Sequence, residues 1–322
     1  METSAANGLS SWDLGEPIPG HLCDRMIRHA AFPAAVRALA EGMLTLAESD
    51  SKIDGIFKDA GRYVAAMCAA SMPSGVTLAE LRTLCAKFGL LSPGRARAML
   101  FYLRYLAYVS LWSERAREGP ARYLISPTFT EAWRAHLQVA VKAASLVEPA
   151  CCAVVDRLDE PAFYGSFCMV QLEGLAQGAA NWDGDMPFVR VFMNRHAGTQ
   201  IAWTLLVQKG DGGFPFAGPL KVSKLALAGR FNVSLMHVKR LFAEAKREGI
   251  LIGNDERQFF WTDAGMEQIK FLYAAQIIRL LVTCKHTLDV QDCTVGEAPA
   301  RPHPCVEERR IKTEHPKNDG TS

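Results

Sequence analysis

The chain is poor in the signatures that would tie it to a membrane, a disulfide scaffold or a familiar catalytic chemistry. No run of about 18 apolar residues occurs, and the nearest, 271–284, is interrupted by Gln276 and Arg279. The first residues carry neither the basic nor the apolar region of a secretory signal, and 1–20, with their Ser, Gly and Pro, are expected to be mobile. There is no glycine-rich phosphate loop followed by Lys-Ser/Thr, no His-Glu-x-x-His and no nucleophile elbow. Ser49-Asp50-Ser51-Lys52 fits Ser-x-x-Lys but falls between helices, and Asp183 and Asp185 read as turn and cap residues. Nine cysteines, odd in number and scattered, argue for reduced thiols in a cytoplasmic protein. Cys284, His286, Cys293, His303 and Cys305 match no paired-ligand spacing for zinc. Cys151 and Cys152 read as thiols buried between helices, with a redox or thiol-sensing site as the alternative. The expectation is a non-enzyme with no catalytic residues, no metal, no cofactor and no membrane partner.

Net charge is scarce too. Against 36 Lys+Arg stand 34 Asp+Glu, a formal total of +2. The balance hides segregation: residues 77–123 sum to +5 and residues 221–262 to +4, so the remainder sums to −7. Two basic segments on an acidic scaffold do not exclude nucleic acid.

What is present is helical periodicity, and it comes twice. In the first half Pro33 starts a helix with Val36, Leu39, Met43 and Leu46 on one face. A second helix carries Ile53, Ile56, Phe57, Ala60, Val64 and Met67. Thr77 and Glu80 form a capping box for a short helix that stops at Gly89. Ser92-Pro93 opens another to about Leu106. Strands at 108–112 and 122–126 flank a polar loop, and Thr128 with Glu131 is expected to cap a long helix facing inward through Phe129, Trp133, Leu137, Val141 and Ala144. The second half repeats the order. Helical patterns occupy 166–180 and 187–208, then 222–231 and 234–248. A hairpin (250–252 and 258–261) follows, then a closing helix over 263–283. From Leu91–Val109 to Val233–Leu251 the copies align without a gap, 142 residues apart, with a single identity among nineteen positions. The repeat is therefore one of pattern. Its units are expected at 21–150 and 151–288, followed by a Pro-rich, charged, disordered tail over 289–322.

In the second copy, Leu225–Phe231, the turn Asn232-Val233-Ser234, the helix Leu235–Glu248, Gly249-Ile250-Leu251 and Thr262-Asp263-Ala264-Gly265 follow in order. This set of about 45 residues resembles the winged helix–turn–helix of MarR-type transcription regulators. The first copy departs from it, with Ala107 where Gly249 stands and a longer loop at 113–121. The resemblance implies a mainly α protein with small β-hairpin wings, a tandem winged helix–turn–helix that forms a pseudo-dimer within one chain. It also implies sequence-specific binding of double-stranded DNA by two non-identical recognition helices. The residues expected at DNA are Ser234, Met236, His237, Lys239 and Arg240 in the second copy and Ser92, Arg95 and Arg97 in the first. The wings add Arg115, Arg117, Arg122 and Arg257. The resemblance leaves room for a small-molecule effector between the helical layers and for further homodimerisation through 263–283. Tandem winged helices also serve as protein-interaction modules of the chromosome-segregation type and in plasmid replication initiators. The acidic residues Asp255 and Glu256 beside Arg257 suit the first of these alternatives.

Overall fold

The computed structural model describes residues 18–89, 91–112, 120–180, 186–208, 214–253 and 258–296, without the side chains of 177–180 and 291–296. It is mostly helical, with two small antiparallel sheets of three strands each. The first half runs α1 (Gly20–Ile27), α2 (Phe32–Ser49), α3 (Ser51–Ile56), α4 (Ala60–Ala70), β1 (Val76–Thr77), α5 (Leu78–Lys87), α6 (Pro93–Tyr105), β2 (Val109–Leu111), β3 (Arg122–Ile125) and α7 (Pro127–Ser145). A 3-10 turn (Pro149–Cys151) and α8 (Cys152–Arg157) lead into the second half: α9 (Pro161–Ala180), a π-helical turn (Val189–Met193), α10 (Gly198–Leu206), β4 (Leu220–Lys221), α11 (Lys224–Arg230), α12 (Leu235–Arg247), β5 (Leu251–Ile252), β6 (Gln258–Trp261) and α13 (Asp263–Gly296).

Both halves place a strand before the short helix pair and a hairpin after it. In each sheet the first strand pairs with the last, giving the orders β1-β3-β2 and β4-β6-β5. Val76 lies opposite Tyr123 as Leu220 lies opposite Phe259, and Val109 opposite Ile125 as Leu251 opposite Trp261. The first strand of each sheet has two residues, too few to show an alternating pattern, and neither was expected from the sequence.

Helix ends are set by side chains that satisfy free amides. The Thr77/Glu80 capping box forms as expected, and Ser92 and Ser234 accept the amide protons of Arg95 and His237. α7 is capped two residues earlier than expected. Ser126, followed by Pro127 in the first turn, accepts from the Phe129 amide, so Thr128 and Glu131 form no capping box. The expected helix through Ile53–Met67 is broken in two, because Asp50 caps α3 and Asp59 caps α4. The expected helix over 187–208 is also broken: Ala197 is left-handed, and a Cβ on Gly198 would lie 2.1 Å from the Phe192 carbonyl oxygen. The closing helix is longer than its apolar pattern, reaching Gly296 through residues expected in the disordered tail; the rest of that tail lies outside the described residues.

Ala107 and Gly249, at matching repeat positions, both have positive φ, 57° and 67°. The backbone reversal after each second short helix is thus common to both halves, although only one of them uses the residue that adopts it freely.

The scaffold helices bury their apolar faces on one another: α2 on α7, α9 on α13, α1 on α13 and α2 on α10. The two halves consequently bury residues in one hydrophobic cluster. Ile269, Leu272, Ile277, Leu280 and Leu281, the apolar residues of the segment 263–283 for which further homodimerisation was left open, are all buried within the chain. Among the described residues no single helix is long and apolar enough to cross a membrane.

An aromatic cluster lies at the centre. Phe57 meets the Trp203 ring edge-on at 5.7 Å, and His136 packs against Phe57, Tyr63 and Trp133 at 5.5, 5.3 and 4.6 Å. His136 is fully buried, and burial pushes its pKa down to about 3. Its Nε2 lies 3.3 Å from the Tyr63 hydroxyl. It folds neutral while the unfolded chain takes up a proton below about pH 6.5. Stability is therefore full above that pH and falls as the pH drops toward 3, by about 1.4 kcal/mol per unit for this group. Thermal unfolding between pH 7 and 4 should show a downward slope that His136→Leu flattens. An unchanged slope in the variant would remove His136 as its source.

Candidate nucleic-acid interface

In each half the second short helix, α6 or α12, packs its inner face on the first. α6 buries Ala96, Leu100 and Leu103, and α12 buries Val238, Leu241, Phe242 and Ala245. With the register fixed by the N-caps Ser92 and Ser234, the opposite faces point to solvent. Arg97, Lys239 and Arg240 are exposed, and among the described residues none of the three has a carboxylate partner. Met236 is 56% exposed.

Other expected contacts are engaged within the chain. Arg95 Nη2 donates to Asp59 Oδ1 at 2.9 Å, with Asp59 almost wholly buried. His237, at the matching position of the second copy, places Nε2 2.7 Å from the His196 carbonyl oxygen. Asp59 caps α4 and His196 immediately precedes the Ala197 cap of α10. Each half thus ties the third residue of its second short helix to the start of the helix before its first strand, α4 in one half and α10 in the other, with different chemistry at equivalent places. Arg122, expected at DNA, is folded back: its guanidinium donates to the Gly75 carbonyl at 2.7 Å and to Glu80 at 2.9 Å. The Glu80 carboxyl is held below its usual range by the Thr77 amide first, with Arg122 adding to it. Arg115, Arg117 and Arg257 lie outside the described residues.

The link between the halves has no counterpart among the residues singled out from the sequence. Lys58 Nζ lies 2.8 Å from Asp54 and donates at 3.0 Å to the Phe231 carbonyl, in the turn that precedes α12. Gln200 of α10 donates to Asp54 Oδ1 at 2.6 Å, and Arg230 of α11 reaches back to Glu48 of α2 at 2.5 Å. Lys58 therefore holds the start of α12 while its chain neighbour Asp59 holds the start of α6. His196 lies beside this cluster. Burial first, then the nearby Arg62 and Lys58 cations, push its pKa below the usual histidine value, so its ring is neutral near pH 7. No spacing rule pairs residues 58 and 231, so only the neighbouring Asp caps could have hinted at a polar junction.

The remaining candidates resolve as structure. Asp50 of Ser49-Asp50-Ser51-Lys52 caps α3, and Ser49 Oγ donates to the Leu46 carbonyl. Cys151 is buried beside the Cys284 thiol, whereas Cys152, expected to be buried, is exposed at the start of α8. Among the described residues no three His, Cys, Asp or Glu side chains gather as a metal site.

Lys58→Met should cost about 2–4 kcal/mol, because the Phe231 carbonyl loses its donor and Asp54 loses its cation. Urea unfolding measures the loss, and hydrogen exchange should show the amides of 232–235 opening ahead of the core. Exchange there that matched wild type would show that the bond does not hold the turn.

No protein-family model, no curated protein and no solved structure matches the chain.

Proposed function

We propose that each half is a winged helix–turn–helix and that the chain is a single-polypeptide pseudo-dimer of MarR-like type. It binds double-stranded DNA sequence-specifically to regulate transcription, without catalysis. The observation that carries this reading is the repeated solvent face of α6 and α12. Both helices start at a serine cap and project cations that lack a carboxylate partner among the described residues, Arg97 from one and Lys239 with Arg240 from the other. A cationic, unpaired face at the N-terminal half of such a helix suits the guanine O6/N7 edge and the phosphates beside it. The segregated charge agrees: the segments holding these helices and their hairpins are net +5 and +4 on an acidic remainder.

Because the two faces differ in sequence, the preferred site is asymmetric where a homodimer would read a palindrome. The heads sit on one scaffold and share the Lys58–Asp59 junction, so the distance between the two half-sites is fixed.

Selection from random duplex DNA with the full chain tests the reading. A non-palindromic motif should be enriched, with affinity falling steeply as salt rises. Arg240→Ala should relax one position by about 1–3 kcal/mol while the fold is unchanged. Enrichment of no sequence would sink the proposal in favour of a protein-binding module. Mapping the motif to iterated repeats instead of promoters would make the chain a replication initiator.

A further inference from the structure

The outer faces of α6 and α12 differ in one respect that charge alone does not describe. Leu100 and Leu103 turn inward, which leaves Arg97, Phe101, Arg104 and Tyr105 along the solvent side of α6. Phe101 is 44% exposed and Tyr105 is 84% exposed. The Arg97 guanidinium lies 5.5 Å from the centre of the Phe101 ring, one helical turn away, so the cation rests on an aromatic plate that limits its conformations. In the second copy, the residues 142 positions later are Lys239, Ala243, Lys246 and Arg247. Cation faces cation at the first position, but the plate has no counterpart: Ala243 stands where Phe101 does.

The geometry points to Phe101 as a thymine-reading residue: its ring covers a thymine 5-methyl group in the major groove while Arg97 beside it takes a guanine edge. This rests on the DNA-binding reading above and deepens it. A guanidinium offers paired donors that match O6 and N7 of guanine, and an apolar ring edge matches the only methyl group on the groove floor. Four residues of helix advance about 6 Å, close to two base-pair steps, so the guanine and the thymine lie within about two base pairs of each other. The α12 half-site, read by Lys239 and Arg240, has only the short Ala243 at this place, which does not reach as far as a phenyl ring to cover a methyl group. The asymmetry of the site is then one of chemistry as well as of sequence.

The test uses the full chain and the duplex enriched by selection. Each thymine is replaced in turn by deoxyuridine, which removes only the methyl group, and each guanine by 7-deazaguanine, which removes N7. For the wild type, deoxyuridine should weaken binding about three- to five-fold at one position in one half-site, the worth of one buried methyl. A nearby guanine should respond by about ten-fold. Phe101→Ala should abolish the response to deoxyuridine at that position alone, Phe101→Leu should keep most of it, and Arg97→Ala should abolish the response to 7-deazaguanine. Phe101 faces solvent, so circular dichroism melting of these variants should stay at the wild-type value. Indifference of the wild type at every thymine overturns the inference and leaves the DNA-binding reading standing. A methyl response that survives in Phe101→Ala does the same. Failure to enrich any duplex overturns that reading, and this inference with it.

Discussion

A lysine ammonium removed from water is costly unless every proton finds an acceptor, and the junction around Lys58 meets that demand from both halves of the chain at once. Asp54 supplies the charge and Phe231 a carbonyl, while Gln200 satisfies the other side of Asp54. Removing any partner leaves a buried group without its complement, so the two halves are coupled by more than contact between apolar faces. The consequence reaches outward. The turn that aims α12 is pinned by Lys58, and the neighbouring residue, Asp59, pins Arg95 at the start of α6. Where two subunits would be free to slide on one another, here one dipeptide sets the relation between two outward-facing helices.

The same tie is made by different residues in the two halves. Arg95 uses a carboxylate, whereas His237 uses a backbone carbonyl, and the left-handed residue after the second short helix is alanine in one half and glycine in the other. Geometry is shared while chemistry differs. The difference extends to the exposed faces. It leaves one helix with an aromatic plate under its arginine and the other with a small residue at that place.

Much of the element order was legible from residues with a local physical meaning. Serine before proline or before an amphipathic run marks a helix start, and the capping box at Thr77 and Glu80 forms as its spacing implies. The periodicity of α2 and α12 gave the right inner faces, and so placed Lys239 and Arg240 in solvent, while the gapless register between the copies did the same for Arg97. The failures have two causes, one local and one tertiary. The helix expected across Ile53–Met67 breaks because Asp50 and Asp59 act as caps, a role that their residue type permits but does not require. The helix over 187–208 breaks at Ala197, where tertiary packing imposes a conformation that alanine does not prefer.

Sequence by itself determined which residues are apolar at helical spacing, which can cap, and where positive charge is concentrated, because these depend on neighbours within one or two turns. Tertiary structure decided which polar groups remain free. Arg95 and Arg122 are cations like those left in solvent, and His237 lies on the same face as Lys239 and Arg240, yet each of the three has an acceptor within the chain more than 35 residues away in sequence. It also decided that the apolar face of α13 is covered within the chain and that Phe101, an apolar residue in an amphipathic helix, faces water. Such outcomes depend on which surfaces meet when the halves close on one another, and no local pattern encodes that.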